Sequence, residues 1–237
     1  MSRRSICLNT VEEDVTMREV LDHQFTERAE IQLKRRENGV YEIIYNGVFL
    51  MASYNNHSEK ILARTAIQNL PPKIGGYQIL VGGLGMGFTV QEVLTCPAVS
   101  RVYVIEIEKA IIDWNRRYFS GLNGNVIQDP RIVLIQCDLF EFLYQTQARF
   151  DAVLIDVDNG PNWLALEKNK RLYSERTLRR INRCLKPNGI LVTWSAQEAI
   201  GYGKKLNNVF HRTSEVRVKE RVPKEGESLI YMAMNTS

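Results

Sequence analysis

The sequence predicts an α/β fold built on a mostly parallel sheet, and three features support this prediction. Short runs rich in Val, Ile and Leu recur between amphipathic segments of helical length, which is typical of strands covered by helices on both faces. A glycine-rich loop, VGGLGMG, follows the first of these runs at residues 81–87. Two apolar runs near the C-terminus are separated by a turn signal, which predicts an antiparallel hairpin at the end of the sheet.

The N-terminal part of the chain has a different pattern. Residues 1 to about 27 are polar and mixed, and we interpret them as a partly ordered arm. Ile31 and Leu33 then alternate with polar residues, and the pairs Asn38-Gly39 and Asn46-Gly47 separate three short strand-like runs. Because Asn-Gly pairs favour tight hairpin turns, these runs predict a small antiparallel sheet in front of the main domain.

The predicted main domain begins with a helix over residues 57–70 and then alternates strands with helices. We therefore divide the chain into an arm and small β-hairpin domain over 1–56 and a Rossmann-like domain over 57–237. The strands are predicted at 78–82, 102–106, 132–136, 151–156 and 190–194. The helices are predicted at about 88–95, 109–119, 139–145, 174–185 and 197–210.

The closing hairpin is predicted from residues 215–218 and 228–233, with its turn at 223–226. A mostly parallel Rossmann-like sheet that ends in an antiparallel hairpin is the plan of the class I S-adenosylmethionine-dependent transferases.

Composition limits the protein classes to which the chain can belong. The 237 residues are 44% apolar and 24% charged, with a net charge of +4, which is ordinary for a soluble globular protein. We find no apolar run of membrane-spanning length and no signal-peptide pattern, and therefore expect a cytoplasmic protein without a membrane partner. The basic clusters lack interleaved aromatic residues, so we expect no nucleic-acid partner. The cysteines are scattered without a CxxC pair, which argues against a metal site or a disulfide framework; they are Cys7, Cys96, Cys137 and Cys184.

The glycine loop and the acid that ends the next strand together predict a nucleotide-type site. Gly83, Gly85 and Gly87 allow a tight turn and a close approach of the backbone to a ligand. Glu106 ends the second strand, where an acid can hold both hydroxyls of a ribose. The alternative reading is a tight turn followed by a solvated acid.

Three more residues near predicted element ends are candidates. Asp138 follows the third strand and can accept a hydrogen bond from an adenine amino group, act as a helix N-cap, or do both. Trp194 ends the fifth strand and either lines the site or packs in the core. His57 is a possible base, although a lone histidine near a helix cap is more often structural.

Asp156 and Asp158 follow the fourth strand and are the candidate catalytic residues. A carboxylate here can orient an amine, accept its proton and offset positive charge. Because side chains alternate along a strand, we expect the two acids to point to opposite sides and only one of them to face the cleft. The alternative is turn chemistry around Asn159-Gly160-Pro161.

The order of these motifs resembles the spermidine/spermine synthase family of polyamine aminopropyltransferases. VGGLGMG is followed by VIEIE, CDLFEFL, LIDVDNGP and LYSERTLRRINRCLKPNGILVTW, and the similarity extends over about residues 30 to 235. It is closest to short bacterial spermidine synthase-like proteins. The resemblance implies that Glu106 binds the ribose, that Asp138 lies at the adenine, and that Asp156 is the first acid of the catalytic D-x-x-D loop. It also implies a homodimer.

The sequence departs from the family pattern at several positions. Asn159 replaces the second acid of the catalytic loop, although Asp158 adds a carboxylate one position earlier. Met86 stands where the family has an aspartate that holds the amino group of the donor, and Leu50 replaces a donor-binding glutamine. The acid and tyrosine that bind the acceptor are not evident, and Glu59 or Tyr54 are possible substitutes.

Three functions follow as hypotheses. The first is aminopropyl transfer from decarboxylated S-adenosylmethionine, as donor substrate, to a small-molecule amine. The second is methyl transfer from S-adenosylmethionine itself to a small molecule. The third is nucleoside binding without catalysis, in a regulatory or assembly subunit.

Overall fold

The computed structural model describes residues 18–219 and 227–235, and these residues form two β-sheets packed with helices. The N-terminal sheet consists of β1 (Arg18–Phe25), β2 (Glu30–Arg36), β3 (Tyr41–Tyr45) and β4 (Val48–Ala52). These four strands are antiparallel and lie in sequence order. The small antiparallel sheet is thus confirmed.

The turn between β3 and β4 has the backbone conformation that its Asn-Gly pair predicts. Asn46 and Gly47 have φ values of 50° and 75°, and two successive positive φ angles are what a two-residue hairpin turn of the favoured type requires. The predicted arm is wrong for residues 18–25, which form β1. Strand β1 is a mostly exposed edge strand, so its sequence has no need of a clear apolar alternation. Residues 1–17 of the predicted arm lie outside the described part of the chain.

The main sheet has seven strands. They are β5 (Tyr77–Gly82), β6 (Val99–Glu106), β7 (Ile132–Gln136), β8 (Phe150–Ile155), β9 (Leu185–Ser195), β10 (Arg212–Lys219) and β11 (Glu227–Met234). Their spatial order is β10-β11-β9-β8-β5-β6-β7. Strands β5 to β9 pair in parallel, and β10 and β11 pair antiparallel. The predicted plan is confirmed, while the predicted turn at 223–226 lies outside the described residues.

Seven α-helices connect these strands in the described residues. They are α1 (His57–Gln68), α2 (Phe88–Leu94), α3 (Lys109–Arg117), α4 (Ser120–Asn123), α5 (Leu139–Gln145), α6 (Glu175–Cys184) and α7 (Tyr202–Asn207). The helix predicted at 197–210 is shorter, because Gly201 adopts φ 79° directly before α7. Within 18–219 and 227–235, no helix combines the length and the apolar character that a membrane crossing needs.

The segment Pro187-Asn188-Gly189, whose residue types are typical of a turn, lies inside a strand. Asn188 has φ 57°, as a turn residue does, but β9 runs through it from Leu185 to Ser195. The pairing of β8 with β9 steps from Leu185 to Ile190. The turn is therefore a local bulge, after which β9 carries its C-terminal end to the same edge of the sheet as β8.

Two apolar clusters cover the two faces of the main sheet. Ile79 and Val81 belong to one cluster and Leu80 to the other, as expected from the alternation of side chains along a strand. The first cluster also contains Ile31 and Ile43 of the N-terminal sheet. The two sheets therefore share one core, and the division of the chain at residue 56 stays a prediction.

Candidate active site

A cleft opens at the C-terminal ends of the parallel strands, where ligands lie in open α/β sheets. It has a volume of about 1090 Å³ including the solvent at its mouth. The strand ends and the loops after them form one side, and β3, β4 and α1 form the other. The lining residues with polar side chains are Tyr45, Glu59, Thr89, Glu106, Glu108, Cys137, Asp138, Asp156, Asp158, Asn169 and Trp194.

The glycine loop forms the floor of this cleft. Gly83 has φ 93°, and a Cβ atom there would lie 2.0 Å from the carbonyl oxygen of Asp156, so no other residue fits without moving the backbone. Gly83 and Gly85 line the cleft as predicted. Gly87 is not on the cleft wall; a Cβ atom there would lie 2.7 Å from Asn123 Nδ2. The prediction of a ligand contact for Gly87 therefore has no support, and its role is the packing of α2 against α4.

Glu106 lies at the cleft with its carboxylate held by two backbone groups. Its Oε2 accepts a hydrogen bond from the Leu84 N–H at 2.9 Å, and its Oε1 accepts one from the Glu108 N–H at 2.8 Å. Burial raises the pKa of the Glu106 carboxyl, and the two N–H groups act in the opposite direction. Since a carboxylate has about four lone-pair positions, each oxygen keeps one for a further donor. The contact of Glu106 with ribose hydroxyls stays a prediction.

Asp138 caps helix α5 and also lines the cleft. Its Oδ1 accepts a hydrogen bond from the Phe140 N–H at 2.8 Å, which confirms the N-cap hypothesis. Its Oδ2 accepts a hydrogen bond from Arg171, whose guanidinium lies 4.0 Å from the centre of the Phe140 ring. The contact of Asp138 with an adenine stays a prediction, and the structure adds Arg171 as a residue that fixes the carboxylate.

Asp156 is the first residue after β8. Its N–H donates to the Gly82 carbonyl oxygen at 2.8 Å, which ties it to the start of the glycine loop. Thr89 Oγ1 donates to its carboxylate at 2.6 Å. Burial raises the pKa of Asp156 to about 6, against the lowering effect of the Thr89 hydroxyl. The carboxyl is thus closer to neutral-pH proton transfer than an ordinary aspartate.

Asp158 lines the same cleft as Asp156, so the expectation that the two side chains point to opposite sides is wrong. Strand alternation places residues two apart on the same face, so it gives no reason for opposite sides. In addition, β8 ends at Ile155 and Asp158 takes φ 54°, so neither acid lies within the strand. Asn169 Nδ2 donates to its carboxylate at 2.6 Å. Burial raises its pKa, and the Asn169 amide lowers it.

Of the positions at which the sequence departs from the family pattern, some line the cleft and others are buried away from it. Leu50 lines the cleft, and so does Glu59, which supports it as a substitute acid. Met86 is fully buried in the core and is not part of the cleft wall. Asn159 is also buried, and its Nδ2 donates to the Phe49 carbonyl oxygen at 3.4 Å. Neither Met86 nor Asn159 therefore presents a group to a ligand.

Of the remaining candidates, one lines the cleft and two do not. Trp194 lines the cleft and also packs against the first apolar cluster, so both of its readings hold. Its indole Nε1 is buried and has no hydrogen-bond partner within the described residues. Tyr54 and His57 are not among the lining residues. Tyr54 instead lies against Arg36, with 5.3 Å between the guanidinium carbon and the ring centre.

The cleft is strongly acidic. Its lining includes six carboxylates and, among the described residues, no Lys, Arg or His. Two of the six form ion pairs with arginines that are not part of the cleft lining: Asp138 with Arg171 and Glu108 with Arg28. The recorded hydrogen-bond donors of Glu106, Asp156 and Asp158 are neutral groups: backbone N–H groups, the Thr89 hydroxyl and the Asn169 amide. Carboxylates in a poorly solvated cleft are costly without a compensating charge, so the arrangement favours a ligand that brings positive charge.

Several residues of the site were missed in the sequence. Thr89 lies in the first turn of α2, and its place two residues after the glycine loop is a local signal for a contact with a strand end. Asn169 and Arg171 lie in a 3₁₀ segment, Glu167–Tyr173, that follows the DNGP loop. They are 11 and 33 residues from the acids that they bind, so no local pattern indicates these contacts.

The structure also bears on metal binding. In residues 18–219 and 227–235, no three His, Cys, Asp or Glu side chains are arranged to hold a metal ion.

Comparisons with known proteins agree with this geometry. An α/β fold with a glycine loop and an acid at the end of the second strand is typical of proteins that bind nucleotides. The family described as "Spermine/spermidine synthase domain" matches residues 57–221. The chain therefore belongs to the spermine/spermidine synthase family, as the resemblance in the sequence indicates.

Individual relatives are more distant. The polyamine aminopropyltransferase of Leptospira biflexa is 29% identical over 168 residues, which cover 70% of this chain and 56% of that protein. Putrescine N-methyltransferase 2 of Nicotiana attenuata is 29% identical over 119 residues, which cover 49% of this chain and 30% of that one. The chain thus spans little more than half the length of the first of these relatives.

Among solved structures, spermidine synthase from Thermotoga maritima superimposes with a TM-score of 0.76 at 18% identity, over 91% of this chain and 72% of that one. A spermidine synthase in complex with the transition-state analogue AdoDATO gives a TM-score of 0.75, with the same identity and coverage. These likenesses confirm the fold.

Proposed function

We propose that this protein transfers an aminopropyl group from decarboxylated S-adenosylmethionine to a small-molecule amine. The observation that carries the proposal is the acidic cleft, with six carboxylates and no cationic side chain among its described lining residues. A sulfonium donor and a protonated amine both bring positive charge to such a cleft. A donor that retains its carboxylate would add a seventh negative group without a cation to meet it.

The donor binds along the strand ends in this proposal. Glu106 accepts hydrogen bonds from the ribose hydroxyls, and Asp138 lies at the adenine. The sulfonium lies beside Gly83, which lines the cleft at the end of β5 and whose backbone lies against Asp156. The family to which the chain belongs and the fixed carboxylate of Glu106 support this orientation.

Asp156 is the proton acceptor in the proposed reaction. The amine nitrogen forms a bond to the propyl carbon as the carbon–sulfur bond breaks, and methylthioadenosine leaves as a neutral thioether. Before this attack the protonated amine gives one proton to Asp156, whose pKa of about 6 suits a general base near neutral pH; the proton transfer frees the lone pair that forms the new bond. Asp158 and Glu59 offset the charge of the acceptor.

Methyl transfer from S-adenosylmethionine is the second candidate. Met86 is buried where the family's amine-holding aspartate is expected, so the feature that selects a decarboxylated donor is missing from the glycine loop. The similarity to putrescine N-methyltransferase favours the same alternative. In either reaction the acceptor is an amine.

The by-product distinguishes the candidates. The purified protein is incubated with each donor and a panel of diamines, and nucleoside products are separated by chromatography. Methylthioadenosine is expected from the decarboxylated donor, and S-adenosylhomocysteine would establish methyl transfer instead. Neither product with any amine, despite nucleoside binding, would leave the third hypothesis, a binding protein without catalysis. Asp156→Asn is the matched negative control.

We further propose that the protein is cytoplasmic, as its sequence pattern predicts, and a homodimer, as the family resemblance implies. Light scattering coupled to gel filtration measures the mass of the particle. A mass equal to that of one 27.3 kDa chain would contradict the dimer.

A further inference from the structure

A buried carboxylate outside the proposed chemistry lies next to Glu106. Glu108 is 2% exposed and Glu106 is 7% exposed, and both line the cleft. The Glu108 N–H donates to Glu106 Oε1 at 2.8 Å. The two negative side chains therefore occupy one poorly solvated region, joined through a backbone hydrogen bond.

All the side-chain partners recorded for Glu108 come from the N-terminal sheet. Arg28 donates twice, from Nε to Oε1 at 2.9 Å and from Nη2 to Oε2 at 3.1 Å. Tyr45 donates its hydroxyl to Oε1 at 3.0 Å. Arg28 lies in the turn between β1 and β2, and Tyr45 ends β3. A two-bond guanidinium contact of this kind fixes direction as well as charge.

The electrostatics show why the pair matters to the nucleoside site. Burial raises the pKa of Glu106, and the negative charge of Glu108 adds to the rise. The Arg28 guanidinium compensates the charge of Glu108, and Glu108 in turn raises the pKa of Arg28. Without Arg28, Glu108 would be a buried charge with only a hydroxyl partner. A buried charge without its partner is costly to keep in place, so the side chain turns towards water.

We infer that Arg28, with Tyr45, is a positioning residue for nucleoside binding: it holds Glu108 so that the Glu108 N–H and side chain keep Glu106 aligned with the ribose. This inference rests on the proposed function only in taking an adenosyl nucleoside as the ligand of Glu106. The N-terminal sheet thereby controls affinity at a site on the main sheet, 80 residues further along the chain.

The contact is not needed to hold the two sheets together. The N-terminal sheet shares a core with the main sheet through Ile31, Leu33 and Ile43. A separate hydrogen bond joins Trp114 Nε1 to Asp22 Oδ2 at 2.7 Å. Loss of Arg28 therefore leaves the packing of the sheets in place.

The test measures the dissociation constant of methylthioadenosine by calorimetry, well below the melting temperature of each variant. We expect Arg28→Ala to weaken binding by about 10- to 100-fold, the range for loss of a charged hydrogen bond. Arg28→Lys should recover part of the affinity, because it restores the charge but not the two-bond geometry. Tyr45→Phe keeps the packed ring and should cost about threefold to tenfold.

Arg35→Ala is the matched control. Arg35 is also an arginine of the N-terminal sheet and pairs with Glu19 at 2.8 Å, but at the surface and away from the cleft. We expect unchanged nucleoside affinity. In steady-state assays, Arg28→Ala should raise the KM of the donor while the KM of the amine stays the same. A purely structural role would lower the melting temperature without raising the KM of the donor relative to the KM of the amine.

A double-mutant cycle isolates the mechanism. Glu108→Gln removes the charge that Arg28 compensates but keeps the backbone N–H on Glu106, so Arg28→Ala should weaken binding much less in that background. Equal losses in both backgrounds would overturn the inference, as would wild-type affinity in folded Arg28→Ala and Tyr45→Phe. If the wild-type protein does not bind methylthioadenosine, the proposed function fails and the inference fails with it. Wild-type binding with unaffected variants refutes the inference alone.

Discussion

Replacement of Asp156 by Asn should make the protein more stable and less active. The carboxylate lies at the end of β8 among poorly solvated groups, with the Thr89 hydroxyl as its hydrogen-bond donor. Asn has the same shape, and its amide oxygen can accept the same hydrogen bond. The substitution therefore removes one charge and one proton-binding site from an otherwise unchanged surrounding.

The expected stability change follows from proton linkage. Burial raises the pKa of Asp156 from its ordinary 3.8 to about 6, so the folded state binds the proton more tightly than the unfolded state. The resulting stability is complete below about pH 4 and is lost as the pH rises through about 6. At 1.36 kcal/mol per pH unit between the two values, the loss is up to about 3 kcal/mol. Asp156→Asn avoids this loss, while its turnover should fall by about 10² to 10⁴.

The assay is urea unfolding of both proteins at about pH 4 and about pH 8, with initial rates measured on the same preparations. The stability advantage of the variant should appear only at the higher pH. Asp113→Asn is the control, because the hydrogen bond from Lys109 lowers the pKa of Asp113. This substitution should therefore decrease the stability at the higher pH, whereas Asp156→Asn should increase it. An equal difference at both pH values, or a variant less stable than wild type at about pH 8, would refute the burial argument. Unchanged turnover would refute the general-base role.

Three further substitutions test other parts of the site. Asp158→Asn should raise the KM of the amine by about tenfold with little change in kcat, because a carboxylate facing the acceptor is lost; an effect on the donor KM alone would contradict this. Gly83→Ala should lose about 2 kcal/mol or more in urea unfolding, since its Cβ atom would lie 2.0 Å from a carbonyl oxygen; wild-type stability would show that the loop is not constrained. Arg171→Ala frees one oxygen of Asp138 and should change the affinity for adenosine more than that for ribose, as calorimetry with both ligands would reveal.

The parts of the molecule that depend on short stretches of sequence were predictable. The parallel strands have apolar runs of the right length, and Glu106 follows the glycine loop at a spacing that places it at the next strand end. The two Asn-Gly turns needed no tertiary information, because their backbone preference is intrinsic.

The parts that failed depend on where an element stops or on distant contacts. The assignment of Asp156 and Asp158 to opposite sides misapplied strand alternation, which places residues two apart on the same face. Both acids also lie beyond the end of β8 at Ile155, where the loop conformation sets the direction of each side chain. Strand β1 lacks an apolar pattern because it is an exposed edge. The contact of Arg28 with Glu108 joins residues 80 positions apart, and the sequence contains no local signal for it.

The cleft wall formed by β3 and β4 lies ahead of the segment that the family match covers, residues 57–221. The opposite wall is thus encoded partly ahead of that segment. Changes in the β3–β4 hairpin can reshape this wall without altering the glycine loop, provided that Ile43 still fills the common core and Tyr45 still contacts Glu108. In the proposed function, exchange of this hairpin between relatives therefore tests how far this wall, which includes Leu50, determines substrate choice.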